Sequence, residues 1–414
     1  MRRTRTGSSM LNAALIREIE SAVASFEQWL DAYGETSWDH QSYYAGPVGR
    51  KAKGLYYRHR LLGTLAVAPM VASEAFLPSA RCLFWKKQRL PIADAHYASA
   101  FAFLAKKDGR EYHYGRAVHF LRVLIETRSP RFARFGWGYP FDWVTADGTL
   151  ASDTPLITTV PYAYEAFAQV YRLDGDRQWL EIMKSIAEHV AADYQEYPTS
   201  SDAASCSYTP PPADQENVVN ASAYRACLLT KAAYDLGEPR YKDAACRNLN
   251  FVLAAQSADG SWRYATDERR SFIDHFHTCF VMKALAKIEA VTGDTRCAMA
   301  IERGVDYYTR DLFDADGLPK PFSQKPRFTV YRRELYDYAE CVNLGVLLRG
   351  RFAAMDAALN TVVIDLLNRW RKSDGSFRAR ELLFGWDNVP MHRWAQSQIF
   401  RSLSFLLSEL AGAS

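Results

Sequence analysis

The sequence predicts an all-α fold in which six helical hairpins close into an (α/α)6 toroid, with an extra N-terminal helix. Three observations carry this reading. Asp-Gly pairs recur at 147–148, 259–260, 316–317 and 374–375, the last three spaced by 57 and 58 residues. A second set of glycines, at 109, 175, 237, 293 and 350, each closes an apolar helical segment: "FLAKKDG", "VYRLDGD", "AYDLGE", "EAVTGD" and "LLRGRF". Such a glycine stops a helix because it accepts the left-handed conformation just past the last turn. Finally, no β-branched alternating runs recur, so strand signals are weak throughout.

Each repeat then reads as a long loop, a helix, a tight glycine turn and a second helix. The first helices are placed at 91–107, 154–173, 217–236, 273–292, 334–349 and 391–411. The second helices are placed at 110–127, 177–195, 239–256, 294–312 and 352–371. A helix near 54–76 is expected to complete the sixth pair, leaving one near 11–33 as the extra element. Residues 1–414 form one domain, with 1–90 closing the ring and 91–414 supplying the hairpins. A ring is favoured over an open superhelix because an open stack needs polar capping repeats, and neither end shows one.

Composition narrows the function. The chain has 414 residues, 48% hydrophobic and 24% charged, which is ordinary globular usage. No apolar run approaches the roughly 20 residues of a bilayer span, and the basic start "MRRTRTGSSM" runs into a charged amphipathic segment rather than a secretory signal. The seven cysteines are scattered without CxxC or CxH spacing, suggesting reduced thiols and a cytoplasmic location. A net charge of +4 is too small and dispersed for nucleic-acid binding. Neither GxSxG, HExxH, a phosphate-binding loop nor a dinucleotide fingerprint occurs, and no cofactor is expected.

The long loops all precede first helices, so they gather at one end of the ring, where helix N-termini offer free N–H groups. These loops carry an aromatic excess: "RFGWGYPFDW", "DGSWRY", "YRRELYDY" and "ELLFGWDNVPMHRW". Ring faces stack on the C–H faces of sugars, and neighbouring charged groups bind hydroxyls. Trp137, Tyr139, Trp143, Trp262, Tyr264, Arg332, Tyr338, Trp386, Asp387, His392, Arg393 and Trp394 are therefore candidate binding residues. The bland alternative is that the tryptophans plug the loops onto the barrel end. Asp142, Asp274, His275, His277, Asp337 and Glu340 are the candidate acid/base residues. The loop at 196–216 is polar and proline-rich and reads as a mobile flap, and the arginines at 269, 270, 332, 333 and 393 would suit an acidic sugar.

The densest cluster is "RSFIDHFHTCF" at 270–280. Ser271 is a plausible N-cap with Asp274 three residues on, a capping-box-like pattern. At about 100° per residue, His277 shares the apolar face and can pair with Asp274 at i, i+3, whereas His275 points away. Two histidines at i, i+2 make a poor zinc pair, so no metal is expected.

The segments "DGSWRYATDERRSFIDHFHTCFVMKAL", "GWGYPFDW" and "RWAQSQIFRSL" resemble the six-hairpin glycosidase superfamily, and more narrowly its bacterial polysaccharide-biosynthesis branch. Cys279 stands where a small residue such as glycine is expected. The resemblance implies an (α/α)6 fold and a role with an oligosaccharide or polysaccharide, neutral or acidic, alongside other polysaccharide-biosynthesis proteins. The reaction stays open between glycoside hydrolysis, placed first, and uronate lyase or epimerase chemistry. Two further readings are a non-catalytic glycan-binding or assembly protein and a terpenoid-cyclase relative. For the last, "FVLAAQSADGSW" looks like a Gln-Trp repeat, but no DxDD or DDxxD motif, apolar cavity or membrane-binding helix is evident.

Overall fold

The computed structural model describes residues 12–212, 216–326 and 328–412. Helix α1 (Ala13–Tyr33) is followed by the short α2 (Ser42–Ala45) and by a hairpin of α3 (Pro47–Arg58) and α4 (Arg60–Phe76). Then come α5 (Pro91–Asp108), α6 (Glu111–Glu126), α7 (Val160–Asp174), α8 (Arg177–Ala192), α9 (Val219–Asp235) and α10 (Lys242–Ala254). The series ends with α11 (His275–Thr292), α12 (Thr295–Asp311), α13 (Leu335–Leu347), α14 (Ala353–Asp365) and α15 (Ser397–Ala411).

Helix α5 packs on α7, α7 on α9, α9 on α11, α11 on α13, α13 on α15, and α15 returns to α5. The inner ring is closed, as the repeat spacing predicts. Its members are buried on nearly every side; along α5 only Phe103, Lys106, Lys107 and Asp108 escape burial. The predicted glycine stops hold, with left-handed caps at Gly109, Gly175 and Gly293. The inner helices nevertheless begin later than expected, at Val160 and Ser397, because residues 154–159 and 391–396 remain irregular loop.

The Asp-Gly turns explain how the outer layer is held. Gly260 adopts φ +92°, and a Cβ there would lie 2.2 Å from the Arg303 carbonyl oxygen on α12. Gly375, at φ +93°, stands in the same relation to the Ser25 carbonyl oxygen on α1, at 2.3 Å. The turn after α10 locks onto the outer helix α12, and the turn after α14 locks onto α1. Helix α1 is thus the sixth outer helix, packed against α15. This corrects the expectation that a 54–76 helix closes the ring and 11–33 is extra. The 54–76 segment is broken at His59, whose φ and ψ are −138° and 93°, and its two pieces pack chiefly on each other.

Helix α4 buries only Gly63, Val67 and Met70. Leu61, Leu62, Leu65 and Phe76 are exposed, so an apolar helix face is present that the sequence pattern did not reveal. Short antiparallel ribbons also appear in the loops, among them 143–145 with 148–150 and a three-stranded sheet of 331–334, 380–382 and 386–387. The expected flap at 196–216 is instead anchored where it is described. Glu196–Pro198 pairs with Ala204–Cys206, and Glu196 is held by Arg225 and Arg247. All seven cysteines are free thiols.

Replacing Gly375 with alanine combines a positive φ with a backbone collision and should cost about 3–5 kcal/mol. Gly385→Ala, at φ +79° with nothing within 4 Å of the new Cβ, should cost only about 1 kcal/mol. Urea unfolding of the two variants measures the difference.

Candidate active site

The ring's axis is polar. Each inner helix sends a polar side chain inward: His96 from α5, Tyr162 from α7, Asn220 and Tyr224 from α9, Lys283 from α11, Glu340 from α13 and Arg401 from α15. Lys283 forms an ion pair with Glu340 and approaches the Tyr162 hydroxyl at 3.4 Å. The hydroxyls of Tyr162 and Tyr224 lie 2.6 Å apart, Arg401 covers the Tyr162 ring, and His96 meets it edge-on. Several of these groups have no protein partner: both His96 ring nitrogens, both Asn220 side-chain atoms and the second oxygen of Glu340. Orphaned polar atoms are rare in a packed interior, so these groups are open to hydrogen bonds from water or a ligand.

Above this floor sits the opening cluster. Asp274 is itself the N-cap of α11. One carboxylate oxygen accepts from the His277 backbone N–H at 2.9 Å, and the other accepts from His277 Nδ1 at 2.6 Å. Ser271 instead ends a preceding turn capped by Asp267, so the capping-box assignment moves three residues along the chain. With Nδ1–H held by Asp274, the hydrogen-bond geometry assigns the His277 Nε2 lone pair to the open side. His277 keeps 19% of its side-chain surface exposed, whereas Asp274 keeps 1%.

The wall around His277 is aromatic. Tyr264 meets it edge-on at 4.7 Å, and Phe276 lies 4.4 Å away. Phe276 in turn touches Trp394, which stacks on Tyr336 at 4.3 Å. Arg393 lies over both the Tyr139 and Trp394 rings and is clamped by Asp39 through two bonds of 2.9 and 2.6 Å. Burial would raise the Asp39 carboxyl, but Arg393 overrides it and holds the group ionised far into acid. His40 packs against Trp394 with the rings tilted at 59°, and burial together with Arg393 keeps its ring neutral.

Asp337, one turn into α13, is fully buried with neither oxygen bonded to protein. Burial first, then the charges of Glu334 and Asp274, raise its pKa well above the usual carboxylate range, which favours its protonated form. Glu334 is tied down, accepting from Trp394 Nε1 at 2.6 Å and from Arg380 at 3.2 Å.

The structure brings Asp274, His277, Asp337, Tyr139, Tyr264, Arg393 and Trp394 to this region, with Trp143 edge-on to Tyr139. Other sequence candidates lie elsewhere, each for a clear reason. Trp137 and Trp262 are buried plugs whose indole N–H groups donate to Leu124 and Val252 carbonyls at the ends of outer helices. His275 turns outward to the Tyr308 hydroxyl and the Leu312 carbonyl, and burial lowers its pKa to about 3. Tyr338 likewise points outward, donating to Asp365. Asp387 is buried against Arg81, and His392 sits between Tyr97 and the Gly34 carbonyl, with burial lowering its pKa to about 4. Trp386 packs under Arg378 on the outer side, and Arg332 borders a separate surface groove of about 450 Å³. Asp142 pairs with Arg50 of α3, and Glu340 belongs to the axial floor. Sequence reasoning missed Asp39, His40, Glu334, Tyr336 and every axial residue except Glu340.

The buried Lys283–Glu340 pair makes a pH prediction. Burial, against the pull of Glu340, lowers the lysine from 10.5 to about 8. The unfolded chain therefore binds more protons than the native one between these values, and stability rises with pH across that window. Relative to a Lys283→Met/Glu340→Gln variant, the parent should gain on the order of 3 kcal/mol between pH 8 and 10.5, read by chemical denaturation. Lys283→Met alone strands a buried carboxylate and should cost about 3–5 kcal/mol at neutral pH.

No family model matches the chain, and no curated protein sequence matches it. Solved structures do. A cellobiose 2-epimerase from Bacillus thermoamylovorans superposes with a TM-score of 0.62 at 11% identity, covering 79% of this chain and 88% of that one. A GH76 α-mannanase from Bacteroides thetaiotaomicron gives 0.59 at 9% identity, covering 78% and 87%. A D-mannose isomerase gives 0.58 at 11% identity, covering 77% and 87%. At such identities the likeness speaks of architecture alone, and it agrees with the closed ring of inner helices: by fold, this chain is an (α/α)6 toroid.

Proposed function

We propose that the protein is a carbohydrate-active enzyme that moves a proton at a sugar carbon beside a carbonyl or carboxylate group, with His277 taking and returning that proton. The observation that carries this reading is the Asp274–His277 pair, with Nδ1 locked by the carboxylate and Nε2 turned to an aromatic mouth. A neutral histidine so oriented is a base, and the neighbouring carboxylate steadies the imidazolium it becomes. Removing such a proton builds negative charge on the sugar oxygen. Arg393, clamped at the mouth, and Asp337, whose raised pKa favours a carboxylic acid that can donate, are groups that can oppose that charge.

Hydrolysis, favoured on sequence, fits these residues less well. It needs two carboxyl groups free to flank a glycosidic bond, about 5–9.5 Å apart. Asp142 is taken by Arg50, Glu340 by Lys283, Glu334 by Trp394 and Arg380, and Asp274 by its helix and His277. The structural relatives include epimerases, an isomerase, a polysaccharide lyase and mannanases. Epimerase, isomerase and lyase reactions each begin with the proton step proposed here. The substrate we propose is an oligosaccharide or a polysaccharide end, with sugar faces on Trp394, Tyr264 and Tyr139.

The test uses reducing disaccharides and uronate oligosaccharides in deuterium oxide, followed by NMR. Deuterium should enter at the carbon beside the carbonyl or carboxylate, and His277→Gln should slow this by about 10²–10⁴. Asp274→Asn should slow it too while leaving the melting temperature nearly unchanged, because asparagine also caps helices. A lyase would show as an unsaturated uronate instead of carbon-bound deuterium, and new reducing ends with neither deuterium at carbon nor an unsaturated product would establish hydrolysis and overturn the proposal.

A further inference from the structure

We infer that the α3–α4 hairpin is an interfacial anchor that lays this part of the protein on an anionic lipid bilayer. The inference concerns a surface outside the active site and stands whatever reaction that site performs.

Helix α4 is apolar on two faces. Gly63, Val67 and Met70 form the buried stripe. At about 100° per residue, Leu61, Leu65, Ala68, Ala72 and Phe76 fall on the opposite side, within an arc of about 80°. The exposures there are large: 84% for Leu61, 71% for Leu65 and 65% for Phe76. The patch continues beyond the hairpin, since Phe76 stacks on Phe384, which is itself 74% exposed. Contiguous apolar surface of this kind marks an interaction site.

Charge selects the partner. From His40 to Ser73 the sequence contains no aspartate or glutamate but carries Arg50, Lys51, Lys53, Arg58 and Arg60. Lys51, Arg58, His59 and Arg60 are exposed, the last three directly at the start of the apolar stripe. Exposed leucines beside acid-free basic residues match the headgroup region of an anionic bilayer, where the apolar stripe enters the acyl boundary and the cations meet phosphate. A second copy of the chain fits less well, because a two-fold contact on this patch brings like charges together. No described helix is long and apolar enough to cross a membrane, so the hairpin lies on the surface. Arg50 pairs with Asp142, and Glu74 with Arg380, which itself holds Glu334. The anchor is therefore fastened to the loops that build the active site.

Co-sedimentation of the full chain tests this with vesicles of phosphatidylcholine, alone or mixed with phosphatidylglycerol. The parent should bind the mixed vesicles, with binding weakened by salt and weaker still without the anionic lipid. Leu61→Ser/Leu65→Ser and Arg58→Glu/Arg60→Glu should each lower binding at least about tenfold, with unchanged circular dichroism because these side chains are exposed. The inference is overturned if the parent stays in the supernatant or if neither variant changes its binding. It is overturned equally if light scattering shows a dimer that Leu61→Ser/Leu65→Ser converts to a monomer without any vesicle binding. None of these readouts depends on turnover.

Discussion

A helix packed on all sides cannot leave a polar group unpaired without a free-energy penalty, and this toroid contains six such helices. The ring satisfies its backbone internally and surrounds each inner helix with apolar neighbours. The axis is where polar side chains from several inner helices can meet one another. The Lys283–Glu340 pair, the Tyr162–Tyr224 hydroxyls and Arg401 meet there. His96 and Asn220, unpartnered at the same level, show that the arrangement is not complete in itself. Removing one member of such a group leaves the others as buried, uncompensated dipoles or charges, so stability and ligand recognition draw on the same residues.

Asp274 shows how little machinery the active site needs. One oxygen closes the first turn of α11, a role that any good N-cap fills, and the other fixes the tautomer and direction of His277. The proposed base is thus positioned by the same carboxylate that starts its helix, on a rigid element rather than a loop. The surrounding rings exclude water from the histidine's flanks while leaving its outer nitrogen accessible.

The parts of this architecture legible in the sequence are those with a local cause. Gly109, Gly175 and Gly293 announce helix ends because few other residues adopt their positive φ. The Asp274–His277 pair can be inferred from spacing alone, since i, i+3 neighbours meet on any helix. The opposite holds for the clamp on Arg393, whose partner Asp39 lies 354 positions away. His96, Lys283 and Arg401 escaped notice because a helix buried all round has no polar face against which an inward-pointing charge stands out. The loop tryptophans misled in a different way. Trp137 and Trp262 occupy the same structural position in two repeats, sealing the hairpin ends, so their recurrence reflects the repeat itself.

The identity of the sixth outer helix bears on how the ring is made. Helix α1 presents Ile19, Val23, Phe26 and Leu30 to the core, and Phe26 stacks on Phe400 of α15. Helices α1 and α15 are thus neighbours in space, a contact between residues more than 370 positions apart at Phe26 and Phe400. During synthesis, α1 meets partners on α5 and α6 first, through Lys107–Glu20, His113–Glu27 and Phe26–Tyr97, while its contacts with α15 wait until nearly the whole protein has followed. The five complete hairpins can stack in order as they emerge, each against the one before. Closure is then a late event in which α15 reaches both α5 and α1, and until it happens Arg401 is missing from the axis, which stays open to water.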